Sequence, residues 1–581
     1  MYKTPKMQTS RVKFPYGISN IEQLITDNYV FVDKTNFIEL LENEERFSIF
    51  LRPRRMGKSL FVSMLEYYYD ILKKDKFDKI FSKLYIGKNP TPMASSYRVL
   101  KFDFSGIDTQ TDENTFKFFL DVIRETMSTF MGRYQLFSEQ QQRHILEGDS
   151  PGNVLRRFFE TLNLWKTQTG DELKIYILID EYDHFTNEIL IRDLGEFKRS
   201  VTQDGFIRKF YEAIKIATQQ GFVDRFFITG VSPITLDGLT SGFNIGSHLF
   251  ELKHFNDLMG FTLAEVEHLL NLVLIDKSRA TEILNDLKVW YNGYRFNIDV
   301  DHTIYNSDMV LYFVKKFAKE QKYPPQMLDP NIMPDFLKIK KLFRVVNTEE
   351  KYEVLRAVLE QGEISARLIY QFSFEQPFDK MSFTNLLYYL GNLTLKGKNE
   401  YGIPLFVIPN YVIKDIFWQY YANLLQETAG LTTDSSKVKD AIMSTAAGDI
   451  GPFLLLVQKL LEVFSNRDFQ RFEEKYIKGI IMAYAFQADF YVVRSEREIT
   501  NDGYLDLELL QHPALPGIPH QYAMEIKYLK QADENQLQST MLAAKSQLKS
   551  YLEKDAILQS LQRLKAVAVV VVKDKVYWEE L

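Results

Sequence analysis

The stretch FLRPRRMGKS, which runs from Phe50 to Ser59, decides how the first half of the chain is interpreted. It ends in Gly57-Lys58-Ser59, and this tripeptide is typical of a phosphate-binding loop. The glycine lets the backbone approach the phosphates, the lysine reaches the β and γ oxygens, and the serine hydroxyl binds Mg²⁺. Arg52 stands where such a loop usually begins with glycine, so a solvated basic turn is the alternative interpretation.

The residues on both sides of this loop favour a nucleotide site. FSIFL, from Phe47 to Leu51, predicts a buried strand, and SLFVSMLEYYYDIL, which begins at Ser59, predicts a helix. A nucleotide site needs such a strand to deliver the loop and such a helix to begin at the phosphate. Arg54 and Arg55 could contact phosphate or face solvent, and Lys34, in FVDKT, has no assigned role.

The sequence from about residue 47 to 235 alternates between short apolar runs and helical segments. Two of the helical segments are Thr115–Tyr134 and Phe206–Gln219. The apolar runs are Phe47–Leu51, Val99–Phe104, Ile175–Ile179 and Phe226–Val231. This alternation predicts a mainly parallel α/β sheet with both faces covered. We therefore expect residues 1–255 to form a P-loop domain.

Polar residues follow two of these strands. In KIYILIDEYDHF, Asp180 and Glu181 come directly after the apolar run, and in RFFITGVSPI, Thr229 precedes Gly230. In P-loop proteins an acid at a strand end binds Mg²⁺, directly or through water, and a following glutamate can orient the attacking water. We expect Asp180 and Glu181 to take these roles and Thr229 to sense the γ-phosphate, although polar strand ends also occur without such a role.

The rest of the chain predicts two further regions. Residues 256–450 carry apolar residues at helical spacing, so we expect a mostly helical lid or coupling region with a short hairpin near Leu393–Val407. Residues 451–581 are expected to form a separate α/β domain. Its helix is predicted at Glu534–Glu553 and its strands at Phe490–Ser495, Tyr504–Leu510, Gln521–Tyr528 and Leu564–Val572.

Charged residues on two neighbouring strands of this last region form a second candidate site. In GYLDLELL, alternation puts Tyr504, Asp506 and Glu508 on one face, and in YAMEIKYL it puts Glu525 and Lys527 on one face. A hairpin of these strands would bring Asp506 beside Glu525 and Lys527. Two such carboxylates can hold Mg²⁺, and the lysine can position a water molecule or stabilise charge on a phosphate. The alternative is an ordinary strand pair with a solvated polar face and one Glu–Lys ion pair.

Further acids lie close to this site in the sequence. Glu496 and Glu498, in SEREITNDGYLD, come one strand earlier. Glu473 precedes the first of these strands on a predicted helix. The sequence leaves open whether Glu473 is an outer ligand of a metal or a water molecule, or part of a solvated helix face.

The composition limits the chemistry. The chain has 581 residues, no cysteine, eight histidines and a net charge of −6. These values exclude disulfides and zinc sites built on thiolates, and the histidines form no HExxH pair, so a bound metal should be a hard cation held by carboxylates. The polar, basic N-terminus and the lack of an 18-residue apolar run predict a cytoplasmic protein without a membrane segment.

The motifs of the chain resemble those of the AAA-ATPase-like family, which is usually fused to a nuclease of the PD-(D/E)xK superfamily. The resemblance covers nearly the whole chain from about Phe14. It is carried by FPYGISNIEQLI, YVFVDKT, FLRPRRMGKSLFVSMLEYYYD, LIDEYD, FITGVSPI, GFTLAEV, WYNGYRF, YNSDMVLYF, YYLGNLT and IPNYVI. In this family the loop without its first glycine is the usual form, so Arg52 does not depart from the family pattern. Gln547 matches a helical glutamine of related nucleases, whereas Tyr504 replaces an arginine that they often carry.

The resemblance implies an ATP-binding P-loop domain joined to a restriction-endonuclease-like domain that cuts nucleic acid with Mg²⁺. We therefore interpret the chain as an ATPase and a metal-dependent nuclease, with DNA preferred over RNA as the nucleic acid. Catalysis would rest on Glu181, Asp506, Glu525 and Lys527, and cofactor and metal binding on Gly57, Lys58, Ser59, Asp180, Thr229, Asp506 and Glu525. The alternatives are an ATP-switched module that binds nucleic acid or protein without cutting, and an ATPase that acts on proteins. The sequence leaves open whether the chain forms a homo-oligomer.

Overall fold

The computed structural model describes residues 12–581 except residues 173, 202–204, 235–244, 332–347, 371, 373–378, 429–434, 463–473, 488–489, 500–502, 516 and 518–519. The chain divides into two compact units, each built from separated segments. The N-terminal unit comprises Met1–Gln321, Asn331–Lys351 and Ile364–Asn410, and the C-terminal unit comprises Lys322–Pro330, Tyr352–Glu363 and Tyr411–Leu581. Within the described residues, no helix combines the length and the apolar character needed to cross a membrane.

A five-stranded parallel sheet forms the centre of the N-terminal unit. Its strands are β1 (Phe47–Leu51), β2 (Arg98–Asp103), β3 (Ile175–Asp180), β4 (Val223–Gly230) and β5 (Ser247–His248). They are arranged in the order β2-β3-β4-β1-β5, and neighbouring strands run parallel. The first four strands confirm the predicted mainly parallel sheet. Because the strands are parallel, β1, β3 and β4 all end at the same edge of the sheet.

Helices alternate with these strands. Helix α11 (Phe206–Gln219) has the predicted bounds. The predicted helix at Thr115–Tyr134 corresponds to α6 (Asp112–Arg133), which begins after the N-cap Thr111. In chain order, the described helices up to residue 389 are α1 (Ile21–Thr26), α2 (Asn36–Asn43), α3 (Lys58–Tyr69), α4 (Phe77–Phe81), α5 (Tyr85–Lys88), α6 (Asp112–Arg133), α7 (Glu139–Leu146), α8 (Pro151–Thr169), α9 (His184–Arg192), α10 (Leu194–Val201), α11 (Phe206–Gln219), α12 (Leu263–Asn271), α13 (Ala280–Tyr291), α14 (Ser307–Glu320), α15 (Thr348–Glu360) and α16 (Lys380–Tyr389).

The region predicted as a mostly helical lid or coupling region, residues 256–450, contributes segments to both units. Its first part packs within the N-terminal unit, because its backbone bonds to the loop that precedes α3. The amide of Gly260 donates to the carbonyl of Met56 (2.9 Å), and the amide of Asp308 donates to the carbonyl of Arg55 (3.4 Å). Residues from 411 onward belong to the C-terminal unit.

A short hairpin interrupts the helices of this region, as predicted near Leu393–Val407. It consists of β7 (Thr394–Lys398) and β8 (Pro404–Val407). The strand β6 (Ile364–Ser365) pairs with β8 and extends the hairpin to a three-stranded antiparallel sheet in the order β6-β8-β7.

The C-terminal unit contains a second five-stranded sheet, of mixed direction. Its strands are β9 (Tyr491–Ile499), β10 (Gly503–Gln511), β11 (Gln521–Leu529), β12 (Leu564–Val572) and β13 (Lys575–Glu580), in the order β13-β12-β11-β10-β9. The central pair β11 and β12 is parallel, and the other neighbours are antiparallel. The four predicted strands are confirmed. The strand β13 was not predicted, because it returns after a tight turn at Lys573 and carries little apolar alternation.

Helix α21 (Leu537–Lys554) packs on this sheet over a core of small and branched side chains. The described helices of this part of the chain are α17 (Tyr411–Thr428), α18 (Ser435–Ala447), α19 (Gly451–Leu461), α20 (Glu474–Ala485), α21 (Leu537–Lys554) and α22 (Ala556–Ser560). Short 3₁₀ helices cover Ile71–Lys76, Leu249–Glu251, Lys253–Phe255, Lys277–Arg279 and Gln531–Gln536. The core between α21 and the sheet includes Leu505, Ala523, Ala544, Leu548 and Ala568. Its alanines let the helix approach the sheet closely, which fixes the position of α21.

The side chain of Arg52 is buried in the N-terminal unit and explains why the loop after β1 lacks its usual first glycine. Only 1% of the residue is exposed. Its guanidinium lies 4.4 Å from the ring centre of Phe50 and 3.9 Å from that of Phe296. It donates hydrogen bonds to the backbone carbonyls of Leu51 (2.9 Å), Phe250 (3.1 Å) and Phe255 (2.9 Å). Burial lowers the pKa of this guanidinium, which nevertheless keeps its charge at neutral pH.

We predict that Arg52→Gly, which restores the common loop pattern, destabilises the protein. The change removes the two ring contacts and leaves buried carbonyls without donors and a void behind, so it should lower the free energy of unfolding by at least about 3 kcal/mol. Urea unfolding of the full chain measures this loss. The control Arg46→Gly removes an exposed arginine that forms a surface ion pair with Asp224 (3.2 Å) and should cost less than about 1 kcal/mol. Equal effects of the two substitutions would contradict the structural role of Arg52.

Candidate functional site

A cavity of about 470 Å³ opens at the edge of the N-terminal sheet where the loop after β1 meets α3. Gly57, Lys58 and Ser59 line it, together with Glu181 from the end of β3. Gly57 has φ +101°, a left-handed conformation that favours glycine, and α3 begins directly after it. The sequence-predicted loop residues and Glu181 are therefore brought together at one cavity.

The ammonium group of Lys58 is held by the loop itself. Its Nζ donates to the carbonyls of Arg52 (3.1 Å) and Pro53 (3.0 Å), so the buried Arg52 and the Lys58 ammonium are linked through the loop backbone. Lys58 is buried, and burial lowers the pKa of its ammonium, while the charges of Glu181 and Asp180 oppose this shift. The loop therefore presents a fixed positive charge at the cavity.

Ser59 and Asp180 form the pair that was predicted to bind Mg²⁺. Asp180 is the last residue of β3 and is 3% exposed. Burial raises the pKa of its carboxyl, while a hydrogen bond from the Ser59 hydroxyl opposes the shift. Asp103, at the end of β2, lies opposite Asp180 in the sheet register. Its strand was predicted from the sequence, but Asp103 was given no role. These oxygen atoms suit a hard cation.

The two acids that follow Asp180 have different surroundings. Glu181 has φ +50°, faces the cavity, and its Oε2 lies 3.2 Å from Nδ1 of His184. Asp183 is buried and accepts hydrogen bonds from the backbone amides of Val231 (3.0 Å) and Ser232 (2.7 Å). The Asp183 carboxylate therefore joins the ends of β3 and β4, while Glu181 remains directed to the cavity.

Thr229 lies inside the sheet. The residue is fully buried, and its Oγ1 donates to the carbonyl of Phe50 on the neighbouring strand β1 (2.8 Å). The hydroxyl proton is thus used within the sheet, and the sensor role of Thr229 stays a prediction.

The remaining cations near the loop also have defined positions. Arg54 and Arg55 both line the cavity. Nη2 of Arg54 lies 3.2 Å from Nδ1 of His184, and Nη1 of Arg55 lies 4.0 Å from Oδ2 of Asp308. Lys34, which the sequence left without a role, forms an ion pair with Glu265 (2.6 Å) and thereby joins the segment after α1 to α12 on the cavity wall.

The second candidate site lies in the C-terminal unit, where β10 and β11 bring Asp506, Glu525 and Lys527 together. Nζ of Lys527 lies 2.7 Å from Oε1 of Glu525 and 3.9 Å from Oδ2 of Asp506. The same Oδ2 accepts a hydrogen bond from the amide of Ile526 (2.8 Å). The convergence of the two carboxylates and the ammonium group agrees with the arrangement expected from the two strand patterns.

Glu525 carries the feature that suits a cation best. The residue is 1% exposed, and its Oε2 is buried without a hydrogen-bond partner. Burial is the main cause that raises the pKa of its carboxyl to about 7, and the nearby charge of Asp506 is the second. A buried carboxylate oxygen without a donor is costly unless a cation compensates it.

Two charged side chains of α20 complete this site and were missed by the sequence reasoning. Nζ of Lys478 lies 3.1 Å from Oδ1 of Asp506 and 2.7 Å from Oε1 of Glu496, and Oε1 of Glu474 lies 3.7 Å from Nζ of Lys527. The spacing of Glu474 and Lys478, four residues apart on one helix face, is the signal that could have found them. Glu473 lies outside the described residues, and Glu498 is exposed.

Simple alternation had predicted that Glu508 lies on the same face as Asp506, but its surroundings are different. It lies opposite Ala523, on the core side of the sheet, and its Oε1 accepts from Nε of Arg497 (2.9 Å), which also binds Asp555. Leu505 packs in the same core, so the alternation breaks between residues 505 and 508. The break separates a structural ion pair from the candidate site.

Gln547 is tied to the edge of the site through α21. Its Nε2 donates to the hydroxyl of Tyr551 (2.5 Å), and that hydroxyl donates to the carbonyl of Tyr504 (3.2 Å). The side chain of Tyr504 is largely exposed. Gly503 has φ +122°, and a Cβ at this position would lie 2.9 Å from the Tyr551 hydroxyl, so glycine is required for this approach.

Among the described residues, no three histidine, aspartate or glutamate side chains converge as a complete metal site. Mg²⁺ does not need such a set, because it retains several waters and is commonly bound by one or two carboxylates and substrate phosphates. Asp506 and Glu525 fit this pattern, and the unpartnered Oε2 of Glu525 is the oxygen best placed for it.

Comparisons with known proteins find family models that match two parts of the chain. Residues 15–240 match the family model described as predicted AAA-ATPase, and residues 472–580 match the model of the PD-(D/E)XK nuclease superfamily. A protein of Azotobacter chroococcum mcd 1, described as an uncharacterized protein in the vnfD 5′ region, is 24% identical over 374 residues, which are 62% of this chain and 63% of the relative. The chain thus spans less than two thirds of that relative. The ORC1 protein of Aeropyrum pernix, solved in complex with DNA, shows 11% identity and a TM-score of 0.27 over 69% of this chain and 98% of that protein.

We predict that Lys478→Met destabilises the C-terminal unit when divalent ions are absent. Asp506 then loses one of its two cationic neighbours while it stays buried, which should cost about 1–3 kcal/mol of unfolding free energy. Mg²⁺ at millimolar concentration should recover more stability in the variant than in the wild type, because the ion replaces the lost positive charge. Urea unfolding with MgCl₂ or with EDTA measures both effects, and Lys459→Met, an exposed lysine on α19, is the control. A loss of stability that Mg²⁺ leaves unchanged would contradict a cation site at Asp506.

Proposed function

We propose that this chain, which joins an AAA-ATPase-like domain to a PD-(D/E)XK nuclease superfamily domain, binds ATP in its N-terminal unit and hydrolyses phosphodiester bonds of nucleic acid in its C-terminal unit. The observation that carries the proposal is the convergence of Asp506, Glu525 and Lys527, with one buried Glu525 oxygen left without a partner. DNA is the favoured substrate.

Asp506, Glu525 and Lys527 each have a role in this proposal. Asp506 and Glu525 hold Mg²⁺, which when bound supplies polarisation of the phosphate and a lowered pKa of a coordinated water. The ammonium of Lys527 orients the attacking water or stabilises the charge that develops on the phosphate. Glu525 fixes this ammonium at 2.7 Å before substrate binds, so little reorganisation is needed during the reaction.

The N-terminal site is proposed to bind ATP with Mg²⁺ and to hydrolyse it. Gly57 admits the phosphates to the backbone, Lys58 binds the β and γ oxygens, and Ser59 and Asp180 hold Mg²⁺. Glu181 orients the attacking water, and Thr229 is retained as the proposed sensor at the end of β4. The cavity is also lined by apolar side chains that suit an adenine base, namely Leu24, Val30, Phe261, Leu269 and Leu311.

Cleavage assays on single-stranded and double-stranded DNA and RNA, with Mg²⁺ and with or without ATP, test the proposal. Lys527→Ala should lower the cutting rate by at least about 100-fold and leave ATP binding intact, because it removes one charge that stabilises the transition state. The exposed Lys530→Ala, three residues further along the chain, is the matched control and should cut like the wild type.

Lys58→Ala provides the reciprocal test. It should weaken ATP binding by about 10-fold to 100-fold, because it removes a charged hydrogen-bond donor to the phosphates, and it should spare cutting in the absence of ATP. If the wild type cuts no substrate in any condition but binds ATP, the chain is an ATP-switched binding module. If the rate of ATP hydrolysis changes when protein is added and not when nucleic acid is added, the chain is an ATPase that acts on proteins.

A further inference from the structure

One ring nitrogen in the N-terminal cavity faces two groups that cannot both bond to it. Nδ1 of His184, on the first turn of α9, lies 3.2 Å from Nη2 of Arg54 and 3.2 Å from Oε2 of Glu181. His184, Arg54 and Glu181 all line the cavity that also contains Lys58. Nε2, the other ring nitrogen, lies 3.7 Å from Oε1 of Glu188.

The two contacts of Nδ1 exclude each other for a chemical reason. A guanidinium only donates hydrogen bonds, so Arg54 requires a lone pair on Nδ1. An ionised carboxylate only accepts, so Glu181 requires a proton on Nδ1. With the proton on Nε2, directed to Glu188, the ring accepts from Arg54. With the proton on Nδ1, the ring donates to Glu181 and Arg54 must leave.

We propose that Arg54 binds the γ-phosphate of ATP and that His184 is a positioning residue that couples this contact to Glu181. The inference rests on the proposed ATP binding. When the triphosphate enters, Arg54 moves from Nδ1 to the phosphate. The ring proton exchanges through water from Nε2 to Nδ1, with no change in net charge, and His184 then donates to Glu181 and fixes it for orienting the attacking water.

The location of Arg54 supports this role. It follows Pro53, whose carbonyl holds Nζ of Lys58, so the guanidinium and the ammonium extend from one anchored loop into one cavity. Burial is the main cause of the lowered pKa of Lys58, and the positive charge of Arg54 is close enough to contribute to it. Two cations that repel each other at one cavity form a site for an anion.

The conformation of Glu181 points the same way. Its φ of +50° is uncommon for a residue with a side chain and persists where the surrounding structure enforces it. Its amide donates to Oδ1 of Asp180 (3.0 Å), which fixes the backbone, while about a third of its side chain remains exposed at the cavity. Orientation of this carboxylate therefore depends on what His184 donates.

Binding of ADP and of the slowly hydrolysed analogue ATPγS to the full chain tests the role of Arg54. Arg54→Ala should weaken the binding of ATPγS at least tenfold and change the affinity for ADP less than twofold, because only the γ-phosphate loses its contact. Arg46→Ala, an exposed arginine of the same unit, should change neither. If the variant weakens the binding of both nucleotides equally, or of neither, the inference is overturned, whereas the proposed ATP binding still stands. A wild type that binds neither nucleotide overturns the proposed function and this inference with it.

ATP hydrolysis tests the role of His184. His184→Ala should lower kcat at least tenfold while ATPγS and ADP binding stay within about twofold of the wild type. The double variant Arg54→Ala/His184→Ala should have the same kcat as His184→Ala alone at saturating ATP, because the two residues act through one path. Additive losses, or a His184→Ala variant that hydrolyses ATP at the wild-type rate, would overturn the coupling.

Discussion

The buried guanidinium of Arg52 is the constraint on which the N-terminal site depends. Ring faces and backbone carbonyls surround this cation, and the carbonyl of Arg52 itself, with that of Pro53, holds the ammonium of Lys58. The loop between β1 and α3 is therefore anchored by one arginine, and it carries Lys58 at the start of α3. A glycine at this position could not provide that anchor, so the altered loop keeps its geometry by a different physical means.

The two sites share a fixed lysine ammonium and a buried carboxylate, but different groups hold the lysine in each. Each holds a lysine ammonium in place, Lys58 by backbone carbonyls and Lys527 by the carboxylate of Glu525. Each also has a strand-end or strand-centre carboxylate whose pKa is raised by burial, Asp180 in one site and Glu525 in the other. Such buried acids favour a bound cation, because the charged carboxylate is costly without one.

The sequence predicted the features that depend on local patterns. Apolar runs located β1 to β4, and helical spacing located α11, because both signals lie within a few neighbouring residues. Several features that depend on tertiary contacts were not predicted. Lys478 reaches Asp506 from a helix, the Thr229 hydroxyl turns to a neighbouring carbonyl, and Glu508 leaves the face of Asp506 where the strand alternation breaks. Periodicity also did not predict how residues 256–450 divide between the two units, because that division depends on which unit each segment contacts.

The interleaved segments of the two units have a consequence for inheritance. Tyr352–Glu363 belongs to the C-terminal unit although most of that unit begins at Tyr411, and Glu360 from this insert accepts a hydrogen bond from the Tyr421 hydroxyl (2.9 Å). A gene fragment that encodes only the distal half would leave this bond and its surrounding surface behind. Recombination at a single point cannot exchange one complete unit for another. We therefore expect the two parts of the chain to be inherited together and to accumulate substitutions that are compatible with each other.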